Sequence, residues 1–189
     1  YFTPLGDMLI LLYYYQDPQV WEINPNDFSL SLLYTLDGYT EVITAMTFSP
    51  DKTQVITATR NGMVRIWNLQ TGTLIHSETI HENDINSVNY SSDGQTILTA
   101  SDDQTIHLWN TDWTSKTIIY TDDHISAHLA PDNKTILALS IIRQEIQVWD
   151  IETEEITQHI NNDYQGSILS VACSPDGQTF AVGGWSGTR

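Results

Sequence analysis

Residues 85–90, INSVNY, alternate apolar and polar side chains, the period of a half-buried β-strand. SSDG follows as a turn, then QTILTA (95–100), a run rich in apolar and β-branched residues. SDDQ breaks the chain again, TIHLW (105–109) alternates, NTD interrupts, and KTIIYT (116–121) closes the series. This predicts four short strands joined by tight turns within ~40–45 residues. No window sustains a 3.6-residue period, so few helices are expected.

The pattern recurs. Trp67 and Trp109 are 42 residues apart, and Trp109 and Trp149 are 40 apart. Nineteen residues before Trp21, Trp67 and Trp109 stand Phe2, Phe48 and Tyr90, which open FTPLGDMLILL, FSPDKTQVITA and YSSDGQTILTA. Leu129 opens LAPDNKTILAL twenty residues before Trp149, which marks a one-residue insertion, and Cys173 opens a fifth copy, CSPDGQTFAVGG. A four-strand unit at this period is the pattern of one propeller blade. The expected units are 1–36, 37–79, 80–121, 122–160 and an incomplete 161–189.

The residues that end each unit carry a specific resemblance. WNLQTG (67–72), WNTD (109–112) and WDIETEE (149–155) follow VRIW-, IHLW- and IQVW-type strands, and the turns SPDK, SSDG, APDN and SPDG match one another. The chain resembles the WD-repeat (WD40) β-propeller family over nearly its whole length. Two of the three full signatures read WN instead of WD, and the first unit reads WE at Trp21 and Glu22. The resemblance implies an all-β propeller of four-stranded antiparallel blades. At ~42 residues per blade, about four and a half are present, so an open or incomplete propeller, a fragment of a longer one, is expected.

The resemblance further implies a buried hydrogen-bonded tetrad in the third unit: His81, a strand hydroxyl (Thr99 or Ser101), Asp103 and Trp109. In the other units Tyr39, Tyr120 and Tyr164 take the histidine position, and Asn61 and Arg143 the aspartate position. Those blades, built around Trp21, Trp67 and Trp149, are expected to rely on apolar packing with weaker polar stitching. His107, between Ile106 and Leu108, is expected to face the opposite side and to be solvated, and Asp102 to face solvent beside the tetrad. Family members usually dock partners on the face bearing the histidine and the aspartate turn. The candidate contacts there are Tyr39, Glu41, Arg60, Asn83, Asp84, Asp102, Arg143 and Tyr164. Arg60 and Arg143 stand out because basic residues are scarce; docking and local salt bridges remain equally open for them.

Composition narrows the function. The chain has 24 acidic and 7 basic residues, a formal charge of −17. Such a surface repels phosphate backbones and anionic membranes, and leaves basic proteins or peptides, cations and neutral partners open. Cys173 is the single cysteine, so there is no internal disulfide framework. The longest apolar run, MLILLYYY (8–15), is far below the ~18 residues a spanning helix needs. No GxGxxG, P-loop, GxSxG, CxxC or HExxH pattern occurs. A propeller enzyme, such as a lactonase-like hydrolase or a dehydrogenase, calls for acidic or histidine groups at the starts of its inner strands. VITAMTF, INSVNY, ISAHLA and ILSVAC are nearly free of them. The expectation is therefore a non-enzymatic, cytoplasmic protein–protein interaction scaffold without cofactor or metal. A propeller enzyme and the sensor propeller of a larger signalling protein are the alternatives.

Overall fold

The computed structural model describes residues 1–3, 5–14, 16–122, 125–140, 142–161, 167–174 and 176–185. Every regular element among them is a β-strand. The first sheet comprises β1 (Met8–Tyr13), β2 (Gln16–Ile23) and β3 (Leu30–Thr35). The second holds β4 (Ile43–Phe48), β5 (Gln54–Thr59), β6 (Met63–Asn68) and β7 (Leu74–Thr79); the third holds β8 (Ile85–Tyr90), β9 (Thr96–Ser101), β10 (Thr105–Asn110) and β11 (Ser115–Tyr120). β12 (Ile125–Leu129), β13 (Thr135–Ser140), β14 (Glu145–Asp150) and β15 (Glu155–Asn161) form the fourth, and β16 (Ser167–Cys173) pairs with β17 (Phe180–Trp185). All pairings among the described residues are antiparallel between consecutive strands, and the described sheets do not close into a ring. The architecture is an all-β, unclosed propeller.

The core lies between sheets. Ile10 and Val20 of the first sheet pack with Val55, Trp67 and Leu69 of the second. Ile56, Val64 and Ile66 meet Ile85, Ile97 and Trp109, and Leu98 and Leu108 meet Ala127, Ile136 and Trp149. Each of these tryptophans thus plugs the gap toward the preceding sheet. Middle strands are covered on both faces, which is why QTILTA and KTILAL read as continuous apolar runs. Burying each such Ile or Leu is worth about 1.5–3 kcal/mol.

The repeated turns have a common chemistry. Ser91 Oγ donates to Asp93 Oδ1 (2.6 Å) and accepts the Thr96 N–H (2.9 Å), while Asp93 Oδ1 also accepts the Gln95 N–H. Ser49 and Asp51 repeat this in the turn before β5. In the fourth unit Ala130 replaces the serine, and Asp132 instead takes the Thr135 N–H and hydroxyl. The extra residue of that unit lies between β13 and β14, where four residues join the strands against three between β9 and β10.

Innermost strands β4, β8, β12 and β16 surround a channel of about 250 Å³ lined by polar groups such as Thr44, Asn86, Ser126 and Ser170. Neighbouring sheets are also stitched there: Thr44 Oγ1 donates to the Ile85 carbonyl (2.5 Å), and Ser87 Oγ accepts the Ala127 N–H (2.9 Å).

Candidate functional site

The loop between β7 and β8 delivers His81 into the third sheet. Gly62, at φ +75°, makes that approach possible: its carbonyl accepts the Ile80 and His81 N–H groups, and a Cβ there would lie 1.9 Å from the His81 carbonyl oxygen. His81 is 4% exposed. Its Nδ1 lies 2.8 Å from Asp103 Oδ2 and its Nε2 lies 2.8 Å from Thr99 Oγ1. The Trp109 indole N–H donates to the same Thr99 oxygen at 3.1 Å.

These contacts specify one direction of donation. The indole N–H can only donate, so Thr99 Oγ1 accepts it and turns its own proton toward His81 Nε2. Nδ1 then carries the imidazole proton and donates to Asp103. Burial lowers the His81 pKa against the opposing pull of Asp103, which keeps the ring neutral. Burial raises the Asp103 pKa, but the Thr105 hydroxyl, the Glu82 N–H and His81 outweigh it and hold the group below its usual value. Each Asp103 oxygen accepts two bonds, Oδ1 from the Thr105 N–H and hydroxyl, Oδ2 from Glu82 and His81. The two hydroxyl candidates therefore divide. Thr99 sits in the relay, whereas Ser101 Oγ donates to the Asn83 carbonyl (3.3 Å) and accepts the Asp103 N–H (3.1 Å).

His107 is not solvated as expected. It is 9% exposed and its ring lies 4.2 Å from that of His81 and 5.3 Å from that of Trp109. Alternation along β10 places it on the Trp109 face, but pattern alone does not reveal that the His81 loop covers that face. Its Nδ1 is the buried side-chain polar atom without a hydrogen-bond partner among the described residues. Burial, together with His81, pushes its pKa down to about 4 against the pull of Asp103.

The expectation of weaker polar stitching in the other blades is corrected for the second sheet. In the second sheet the Trp67 indole donates to Tyr39 Oη (2.8 Å), and that hydroxyl pairs closely with Thr57 Oγ1. A phenol thus bridges tryptophan and threonine where the third sheet uses threonine to bridge tryptophan and histidine. Tyr39 is 6% exposed, which removes it from the partner-contact candidates. Arg65 stacks its guanidinium 4.4 Å over the Tyr39 ring and donates to the Gly38 carbonyl (2.8 Å). In the first and fourth sheets the indole donor is satisfied two residues back on its own strand. Trp21 donates to Gln19 Oε1 (3.2 Å) and Trp149 to Gln147 Oε1 (3.3 Å). The tripeptide QVW at 19–21 and 147–149 was the available signal. Tyr120 is 77% exposed and takes no histidine role; Tyr164 lies outside the described residues.

The remaining candidates lie around the β9–β10 turn and its counterparts. Asn83 is exposed and Asp84 half-buried. Asp102 is half-buried rather than free: it accepts the Asn86 amide, and its N–H donates to the Asp84 carbonyl (2.9 Å). Arg60 pairs with Asp84 (3.7 Å), and Arg143 with Asp122 (2.6 Å) and Glu145 (3.8 Å). Such exposed pairs contribute about 0–1 kcal/mol. Glu41 is half-buried in the loop before β4.

Comparison with known proteins follows the same register. The family model for the WD domain, G-beta repeat, matches residues 30–68, 72–110 and 154–188. The first match runs from β3 to the end of β6 and the second from the turn before β7 to the end of β10, so these two repeats begin at the outer strand of one sheet and end on the tryptophan strand of the next. Periodic tryptophan protein 2 of Arabidopsis thaliana is 25% identical over 150 residues, 77% of this chain and 17% of the relative. Protein tipD of Dictyostelium discoideum is 24% identical over 159 residues, covering 83% and 25%. Eukaryotic translation initiation factor 3 subunit I of Culex quinquefasciatus is 27% identical over 160 residues, covering 77% and 48%. The chain spans a quarter or less of the length of the first two. The family matches cover more than half of the chain and fall on sheets whose tryptophans, turns and relays recur in register: it belongs to the WD40 (WD domain, G-beta repeat) family.

Proposed function

We propose that the chain is a non-enzymatic docking platform for other proteins, using the face that carries the β9–β10 turn and the His81 loop. The observation behind this reading is the relay itself. It pins that loop through His81 and the turn through Asp103, and leaves Glu82 and Asn83 exposed beside them. A loop already ordered gives up little conformational entropy on binding. The charge of −17 steers basic surfaces toward it. The inner channel, lined by hydroxyl and amide groups together with His128, offers no convergent acid–base pair among the described residues. One relative is by its own name a subunit of an assembly, in keeping with this role.

The test is quantitative cross-linking mass spectrometry of the protein at its native length, comparing Asn83→Arg with Gln95→Arg. Gln95 lies in the turn at the opposite end of β9. Asn83→Arg is expected to deplete the captured partners about tenfold and Gln95→Arg to leave them unchanged. Equal capture by both variants, or loss with Gln95→Arg alone, overturns the choice of face.

A further inference from the structure

Aligning the second and third sheets on their tryptophans exposes a difference that points to a ligand. Trp67 corresponds to Trp109, Thr57 to Thr99, Tyr39 to His81, Gly38 to Ile80 and Arg65 to His107. In the second sheet the Arg65 guanidinium lies on the ring of the relay residue and donates to the carbonyl just before it. In the third sheet the shorter His107 stands at that position, and a cavity of about 410 Å³ opens beside it. Ile80, His107, Ile118 and Tyr120 wall this cavity, and Glu82 lies at it.

We propose that this cavity receives an arginine side chain from a partner polypeptide, beside the position over the relay ring that Arg65 takes one sheet earlier and the His107 ring takes here. The inference rests on the docking-platform reading and names the chemistry of one contact. Three features of the cavity fit a guanidinium. Among the described residues its lining contains no lysine or arginine, and it combines the exposed Glu82 carboxylate with the acidic turn around Asp103. Tyr120, 77% exposed, offers a ring face of the kind on which guanidinium stacks in the second sheet. His107, more than nine-tenths buried beside the cavity, is kept neutral by that burial, so the wall it forms carries no charge to repel a guanidinium. Arginine suits the site better than lysine because its planar head can stack and donate at once.

The probe is the capped pentapeptide Gly-Gly-Arg-Gly-Gly, titrated into the native-length protein with isotope-labelled histidine and tyrosine and followed by NMR. The peptide with citrulline in place of arginine, uncharged and of the same shape, is the control. Saturable shifts of the His107 and Tyr120 signals are expected, with a Kd on the order of 1 mM. Citrulline, Glu82→Gln and Tyr120→Ala should each weaken binding about fivefold. His107→Arg, which supplies the guanidinium internally, should abolish it. Equal binding of the citrulline peptide, unchanged binding to His107→Arg, or no shift at His107 overturns the proposal. Should these tests fail while Asn83→Arg still depletes captured partners, the platform stands and only the arginine site falls.

Discussion

His107 shows how one side chain sets a pH response. In the unfolded chain His81 and His107 titrate near their ordinary value of about 6.5. In the fold burial lowers both, His107 to about 4. Between those values the unfolded chain binds more protons than the folded one, so stability falls as pH drops through about 6.5 toward 4. The loss from His107 between pH 7 and pH 5 is about 2 kcal/mol. Asp103, held below its usual value, adds a loss only under about pH 4, outside this window. Thermal melts of His107→Phe should therefore show a shallower decline from pH 7 to pH 5 than the parent, with His81 supplying what remains. A decline as steep as the parent's would mean that His107 is not neutral and buried in solution. This residue also marks the limit of what was legible beforehand. The tetrad positions were readable because the tryptophans recur at set spacing and the family resemblance implies a histidine, a strand hydroxyl and an aspartate around Trp109. The burial of His107 and Tyr39 was not, since alternation assigns a residue to a strand face and is silent about which loop packs on it. Gln19 and Gln147 were missed for a related reason. Their amides solve the indole problem along the strand, where the expected solution came from a loop.

At the scale of the element, turns carry most of the conformational specification, and their chemistry was visible in SPDK, SSDG, APDN and SPDG. Lys52, Gly94, Asn133 and Gly177 occupy the same position with φ between 57° and 69°. Lysine is the costliest occupant of that left-handed conformation, by about 1 kcal/mol relative to glycine. Lys52→Gly should raise the free energy of unfolding by a net ~0.5 kcal/mol after the entropy glycine adds to the unfolded chain, read as a higher denaturant midpoint. Gly62→Ala is the opposite case. It combines φ +75° with a Cβ placed 1.9 Å from the His81 carbonyl oxygen, so the His81 loop must move. A loss of about 2–4 kcal/mol is expected, together with a shift of the Trp109 indole NMR signal as the relay loosens. An unchanged indole signal would show that Gly62 does not position His81. The one-residue insertion of the fourth unit was equally legible as a spacing of twenty, but its place between β13 and β14 needed the fold.

At the scale of the molecule, two kinds of continuity cross each sheet boundary. The sequence repeat straddles it, with residues 72–110 running from the outer strand of the second sheet through the inner strands of the third. The core straddles it as well, because Leu98, Ala100, Ile106 and Leu108 pack with Ala127, Leu129, Ile136 and Trp149. A sheet therefore contributes one wall to each of two cores and owns neither. In solenoid-like arrays the strength of such interfaces decides whether neighbouring units open together or singly. Here the third and fourth sheets share a layer of fully buried side chains with Leu108 at 0% exposure, which predicts coupled opening. Leu108→Ala should cost about 2–5 kcal/mol. Native-state hydrogen exchange should then show protection reduced in β13 of the fourth sheet by about as much as in β9 of the third. Loss confined to β8–β11 would mean that each blade opens alone. Joint loss makes the interface between sheets, not the sheet, the unit of stability, and so places the rigidity of the His81 loop under the control of packing on both sides of the third sheet.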